Sequence, residues 1–207
     1  MGQKERRERE KQQRRTQILN AARALLLKEG FNKTSVNKIS KKAELSVGSI
    51  YFYFKNKEEI FASLEHEGLE ILHEHVLSAT GGVTDSIDRL KKGADAYYQF
   101  SIRHSDYFDV INYFLSSPRV FFSEDVNRTI DSKGAMILEN ISATVRRGVE
   151  EGVFEEKFPG NFAAFFWASL HGIIQTRKLQ GTMIECDDFY SFFQYSVDRL
   201  IESISSR

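Results

Sequence analysis

The sequence predicts an all-α protein in two parts: an N-terminal three-helix domain built around a helix-turn-helix, residues 1–60, and a helical C-terminal domain, residues 61–207. Three observations predict it. Apolar residues recur at three- and four-residue spacing, the period of a half-buried helix. Strand-like alternation is scarce, and only Pro118 and Pro159 punctuate the chain. Residues 34–59, TSVNKISKKAELSVGSIYFYFKNKEE, carry three helix-start signals in close succession.

The opening KERREREKQQRR has no apolar face. It is either a frayed arm or a solvated extension of the first helix, and Glu5–Arg9 and Glu10–Arg14 at i,i+4 favour helix. The first packed helix covers about 14–29, with Ile18, Leu19, Ala22, Leu25 and Leu26 as its stripe and Gly30 as its stop. Thr34 or Ser35 caps the next helix. Val36, Ile39, Ser40 and Ala43 form its apolar or small face, away from Lys38, Lys41 and Lys42. Glu44-Leu45 is a short break. Ser46 caps a helix of barely two turns ending near Tyr53. Asn56 caps a third, whose first turn holds Glu58 and Glu59, where the helix dipole favours acids.

Two helices joined by so short a turn make a helix-turn-helix, whose second helix enters the DNA major groove. Gly48 permits close backbone approach, and Ser49 offers a short hydroxyl to a base edge or phosphate. Tyr51 and Tyr53 carry phenols, which commonly bond phosphate oxygens. Lys57 opens the following helix, where an ammonium and a helix N-terminus can hold the same phosphate. Asn37, on the first motif helix, reaches a base or phosphate.

The helix from Asn56 runs to about residue 78, with Ile60, Leu64, Ile71, Leu72 and Val76 on its apolar side and Gly81-Gly82 as its end. Later helices fall at about 84–103, 106–116, 124–151, 160–180 and 187–205. Asp106 caps the second of these, Gly152 closes the third, and both prolines fall in or beside turns. The last two helices are aromatic on more than one side, and a helix apolar beyond its core stripe needs a second partner. The expected homodimer interface includes Phe165, Phe193, Val197, Leu200 and Ile201.

The segment from Tyr97 to Phe122 holds nine aromatics, some of which must be core. Packing so many with few small partners tends to leave a cavity. Ligand pockets are mostly apolar with a few polar groups. The candidate lining is Tyr97, Phe100, Arg103, His104, Phe108, Tyr113, Phe114, Phe166 and His171, for a flat aromatic or acyl-chain ligand.

Net charge is zero but unevenly placed. Residues 1–60 hold 15 Lys/Arg and 7 Asp/Glu, an excess of eight positive charges, and residues 61–207 hold 14 and 22, an excess of eight negative. The basic end is the footprint of a polyanion partner. Cys186 stands alone, so no intrachain disulfide forms. The longest apolar run, Phe162 to Leu170 and on to Ile174, is broken by Ser169 and His171 and is too short to span a membrane. The N-terminus lacks an apolar signal region, so a cytoplasmic location is expected. His66, Glu70, His73 and Glu74 fall near one helix face, but a solvated face is the simpler account, and no metal is expected. No catalytic constellation, P-loop or dinucleotide-binding pattern is present, so neither an enzyme nor a cofactor is expected.

Residues 45–59, LSVGSIYFYFKNKEE, closely resemble the DNA-binding core of the TetR (tetracycline-repressor-like) family. The likeness extends over Ile18 to Phe31 and the Thr34-Ser35-Val36 cap, roughly the first third of the chain. Beyond about residue 65 it rests on helix layout, with a faint echo in Trp167 to Gly172 and Gly148 to Phe154. The resemblance implies that Val47, Gly48 and Ser49 meet bases, and that Thr34, Tyr51, Tyr53 and Lys57 meet the DNA backbone. It implies a C-terminal ligand-binding and dimerisation domain whose last two helices pair between copies. It also implies a repressor that leaves a palindromic operator when a small effector binds. Val47 departs from the pattern: many relatives carry Lys, Gln or Arg there. An apolar residue touches a thymine methyl or excludes a base, which raises the weight of Asn37, Ser49 and the arm from Arg6 to Arg15.

Overall fold

A computed structural model describes residues 2–117 and 121–206. Its α-helices are α1 (Gln3–Glu29), α2 (Val36–Lys42), α3 (Val47–Tyr53), α4 (Lys57–Thr80), α5 (Ser86–Arg103), α6 (Ser105–Leu115), α7 (Glu124–Glu150), α8 (Pro159–Gln175) and α9 (Phe189–Glu202). A 3-10 turn, Thr176–Leu179, follows α8, so the helix expected at 160–180 stops early. Among the described residues there is no strand, only isolated bridges. Among the described residues no helix is long and apolar enough to cross a membrane. The turn expected at Pro118 lies outside the described residues.

The opening charged segment is helical and continuous with the packed part of α1, so it is the solvated extension rather than a frayed arm. Gly30 ends α1 with φ of +79°, a conformation that L side chains rarely adopt. Asp106 does not cap α6: the helix begins one residue earlier, and Asp106 pairs with Arg23 at 3.4 Å.

The chain divides into two compact units, Met1–Leu69 with Ser105–Ile130, and Glu70–His104 with Asp131–Arg207. The first therefore extends beyond the boundary at residue 60 that the sequence suggests, taking in α6. Its core joins Ile18 and Leu26 of α1, Ile39 of α2, Ile50 of α3, and Ile60, Phe61 and Leu64 of α4. Phe31 is the hub of an aromatic cluster, 5.1 Å from Phe61 and 4.7 Å from Phe121 between ring centres. Phe114 packs with its ring tilted against Phe122 at 5.0 Å. Tyr113 of α6 fixes the end of α1, because its phenol oxygen accepts the Phe31 N–H at 2.9 Å.

In the second unit, α5, α8 and α9 share a core. Tyr98 lies 4.9 Å from Phe193 and 5.0 Å from Tyr190, whose hydroxyl donates to Asp95 at 2.7 Å. Near the end of α7 the Phe154 ring lies directly on Gly148: a Cβ there would stand 2.1 Å from Phe154 Cδ2. The C-terminal residues lock this loop. Glu155 N–H donates to the Ile204 carbonyl at 2.7 Å, and Ser206 N–H to that of Val153 at 2.9 Å.

Candidate functional site

The helix-turn-helix is held by local caps. Ser35 Oγ accepts the Lys38 N–H at 3.3 Å, and Ser46 Oγ accepts that of Ser49 at 3.0 Å. Asn56 Oδ1 accepts the Glu59 N–H at 2.8 Å, while Glu59 Oε2 accepts the Lys55 N–H at 2.6 Å. The bonds to Lys38, Ser49 and Glu59 satisfy N–H groups that a helix start leaves unpaired, and the Glu59 side chain ties down the chain just before its cap.

With seven residues, α3 has one inward side chain, Ile50. Helical geometry then turns Val47, Gly48, Tyr51 and Phe52 outward together. Tyr51 is 54% exposed and Phe52 78%, the largest exposure of any large hydrophobic residue on this helix. Phe52 was not legible as a site residue, because phenylalanine ordinarily reads as core. Its signal is register: it lies two positions past Ile50, on the opposite face. Asn37 is exposed and Tyr53 half-buried. Ser49 is partly buried, with its hydroxyl 2.8 Å from Ser46 Oγ.

Two expected backbone contacts are differently placed. Thr34 is 2% exposed and its hydroxyl donates to the Gly30 carbonyl at 2.9 Å, so it closes the α1–α2 turn instead of facing outward. Replacing Thr34 with Val should lower stability by about 1–2 kcal/mol by stripping that carbonyl of its donor. It should leave the salt dependence of DNA binding unchanged; a slope reduced by about one would restore the phosphate role. Lys57 sits 3.9 Å over the Phe31 ring and donates to the Phe31 carbonyl at 3.0 Å. An ammonium has two further protons for a phosphate. In the expected arm, Arg15 is built into the fold, donating to Ser63 at 2.9 Å with its guanidinium 4.5 Å over Phe54. Arg6 pairs with Glu10 at 2.9 Å.

The expected pocket residues are divided between the units. Phe108, Tyr113 and Phe114 belong to the first unit, where Phe114 and Tyr113 build the aromatic cluster around Phe31. Arg103 is exposed in the last turn of α5, and His104 packs 4.9 Å from His75. Tyr97 and Phe166 do line a cavity of about 30 Å³ in the second unit. Its walls are Val76 of α4, Leu90, Gly93 and Ala94 of α5, Ile137 and Ile141 of α7, and Trp167 and Leu170 of α8. Arg89, Asn140 and Thr144 also line it, and no local pattern in the sequence marks them as pocket residues.

His171 lies next to this cavity. Its Nδ1 is 2.7 Å from the Tyr97 hydroxyl, and its ring stacks on Trp167 at 5.6 Å. Burial lowers the imidazole pKa from its ordinary 6.5 and raises that of the Tyr97 phenol. A half-buried imidazole whose pKa is lowered has a signed consequence. Below pH 6.5 the unfolded chain takes up a proton that the folded chain resists, so stability falls as pH drops through this window. Melting curves between pH 8 and pH 5 should show this loss, and His171→Gln should flatten it.

The expected dimer residues also separate. Phe193, Val197 and Ile201 stand at i, i+4 and i+8 of α9 and are buried by their own chain, which corrects their assignment to an interface. The outward face of α8 and α9 carries Phe165, 52% exposed, with Phe192, Tyr195 and Leu200. Glu70, from the helix face considered for a metal, pairs with Lys133 at 3.3 Å.

Comparison with known proteins agrees with this geometry. Residues 18–64 match the family described as bacterial regulatory proteins, tetR family. YfiR of Bacillus subtilis strain 168, an uncharacterized HTH-type transcriptional regulator, is 25% identical over 178 residues, 80% of each chain. YdgC of the same strain, also an uncharacterized HTH-type transcriptional regulator, is 31% identical over 139 residues, 65% of this chain and 67% of YdgC. The fold is similar to that of AibR, solved in complex with isovaleryl coenzyme A and operator DNA, at a TM-score of 0.75 and 18% identity over 91% of this chain and 98% of AibR. The exposed short helix, its caps and these relationships identify the chain as a member of the TetR family of transcriptional regulators, a family that is not enzymatic.

Proposed function

We propose that this regulator binds a pseudo-palindromic operator as a homodimer, each copy placing α3 in a major groove, and that a small apolar or aromatic effector releases it. Residues 1–60 read the DNA in the cytoplasm, and residues 61–207 bind the effector and pair the copies. The observation that carries this reading is the outward face of α3, where Val47, Gly48, Tyr51 and Phe52 are exposed on a capped helix that buries only Ile50. The basic excess of residues 1–60 supports it, as does the apolar face formed by Phe165, Tyr195 and Leu200. AibR, with its coenzyme A thioester and operator, is a precedent for a ligand and DNA acting on one fold.

Half-sites should lie one helical turn apart or a multiple of it. An effector can release DNA only by binding the non-reading arrangement more tightly than the reading one. The cavity among α4, α5, α7 and α8 suits that role, because about 30 Å³ accommodates little beyond water. A ligand that enters must therefore move helices. Repression, rather than activation, follows the family's usual behaviour.

Selection of bound sequences from random duplex DNA tests the reading. A recovered palindrome, with affinity falling steeply as salt rises, is the expected result. Lys57→Ala should weaken every sequence alike, and Ser49→Ala should shift the preferred bases. Recovery of sequence-blind binding alone would make the motif a scaffold and the basic extension of α1 the binding element.

A further inference from the structure

The cavity is apolar along its length and cationic at one end. Arg89, Gly93 and Tyr97 stand at i, i+4 and i+8 of α5, so they share one face over roughly 12 Å of helix axis. Gly93 and Ala94 keep the wall between them low. Arg89 Nε donates to Thr144 Oγ1 at 3.1 Å, and Nη1 donates to the Thr80 carbonyl at 2.7 Å. Both acceptors are neutral, and the Thr144 hydroxyl donates onward to the Asn140 carbonyl at 2.8 Å. Arg147, by contrast, pairs with Glu151 at 2.7 Å. Among the described residues no Asp or Glu lines the cavity, and none lies within ion-pair distance of Arg89.

A permanent cation drawn partly out of water and held by neutral groups gains when an anion comes beside it. The guanidinium fork suits a planar carboxylate, and its two present bonds already fix its orientation. Beyond it, Leu90, Ala94, Phe166 and Leu170 offer only hydrocarbon. We propose that the cavity takes an amphiphile with a carboxylate head and an apolar body, and that Arg89 is the ion-pair partner of the head. This rests on the reading of the cavity as the effector site. Arg89 thus selects for charge, while the length from Gly93 toward Tyr97 selects for the reach of the apolar body.

The test measures binding of sodium decanoate and of 1-decanol, below their aggregation limits, to the full chain and to Arg89→Gln and Gly93→Leu variants. The expected result is decanoate binding that Arg89→Gln weakens about tenfold to a hundredfold. Decanol should be indifferent to that change, and Gly93→Leu should weaken both. If decanoate and decanol bind the parent equally, or decanoate binds Arg89→Gln as well as the parent, the charge assignment is overturned while the cavity stands. If Gly93→Leu leaves both probes bound, or neither probe binds the parent, the effector reading of the cavity falls with it. Should Arg89→Gln fail to fold, Arg89→Lys keeps the charge without the planar fork and should retain part of the preference for decanoate over decanol. Equal affinity for both probes in that variant and in the parent would sink the proposal.

Discussion

Gly48→Glu should abolish operator binding while leaving the fold intact. Gly48 lies on the exposed face of α3, and an added Cβ meets only Ser46 Oγ, at 3.9 Å. The fold gains from the change on two counts. A glycine inside a helix costs up to about 1 kcal/mol against other residues. An acid in the first turn is favoured by the helix dipole. On DNA the same carboxylate enters a groove flanked by phosphates, and a like-charge juxtaposition costs several kcal/mol. The loss of affinity should exceed about a hundredfold. Fluorescence anisotropy on the selected operator, beside a melting curve, separates the two effects. Undiminished affinity would show that this face of α3 does not meet the groove.

The largest loss of stability should come from Gly148→Ala. The methyl group would fall 2.1 Å from Phe154 Cδ2 and 2.5 Å from Cε2. The ring has nowhere to go, because Phe154 is 2% exposed and pairs with Ser205 in an isolated bridge. Its N–H also donates to the Gly148 carbonyl at 3.0 Å, so backbone and ring are held to the same residue. Overpacking of this kind outweighs the helix propensity that alanine gains, leaving a net loss of about 2 kcal/mol. For a chain of this size that lowers the melting temperature by roughly 4–8 °C. Phe154→Leu is itself destabilising, but the double variant should lose less than the sum of the two. Strict additivity would mean that the ring and the glycine do not clash.

What the sequence made legible was local. Ser35, Ser46 and Asn56 each cap a helix through bonds reaching three residues, so the start of each motif helix could be read from neighbours in the chain. The face of α9 could not. Apolar residues occupy both its sides, and only packing against α5 and α8 shows that Phe193, Val197 and Ile201 turn inward while Tyr195 and Leu200 do not. Thr34 carried an ambiguous signal, since a threonine before a helix either caps it or faces outward; here its hydroxyl turns back to Gly30. Arg89, Gly93 and Tyr97 have helical spacing in the sequence, but the walls opposite them come from α7 and α8, some forty to eighty positions further along. Adjacency in sequence hides that the aromatics of α6 and those of α5 belong to different units.

The place of α6 bears on the order in which the protein is made and on how it can be recombined. Residues 1–69 leave the ribosome first, yet Phe31 and Phe61 stay uncovered until Tyr113, Phe114 and Phe121 follow. Domains generally fold as units during synthesis, so this one waits for a segment some forty residues downstream. A chimera that grafts residues 1–60 onto a foreign effector domain inherits an open aromatic face. One that also brings a matching α6 has the means to close it, and the portable module is therefore discontinuous.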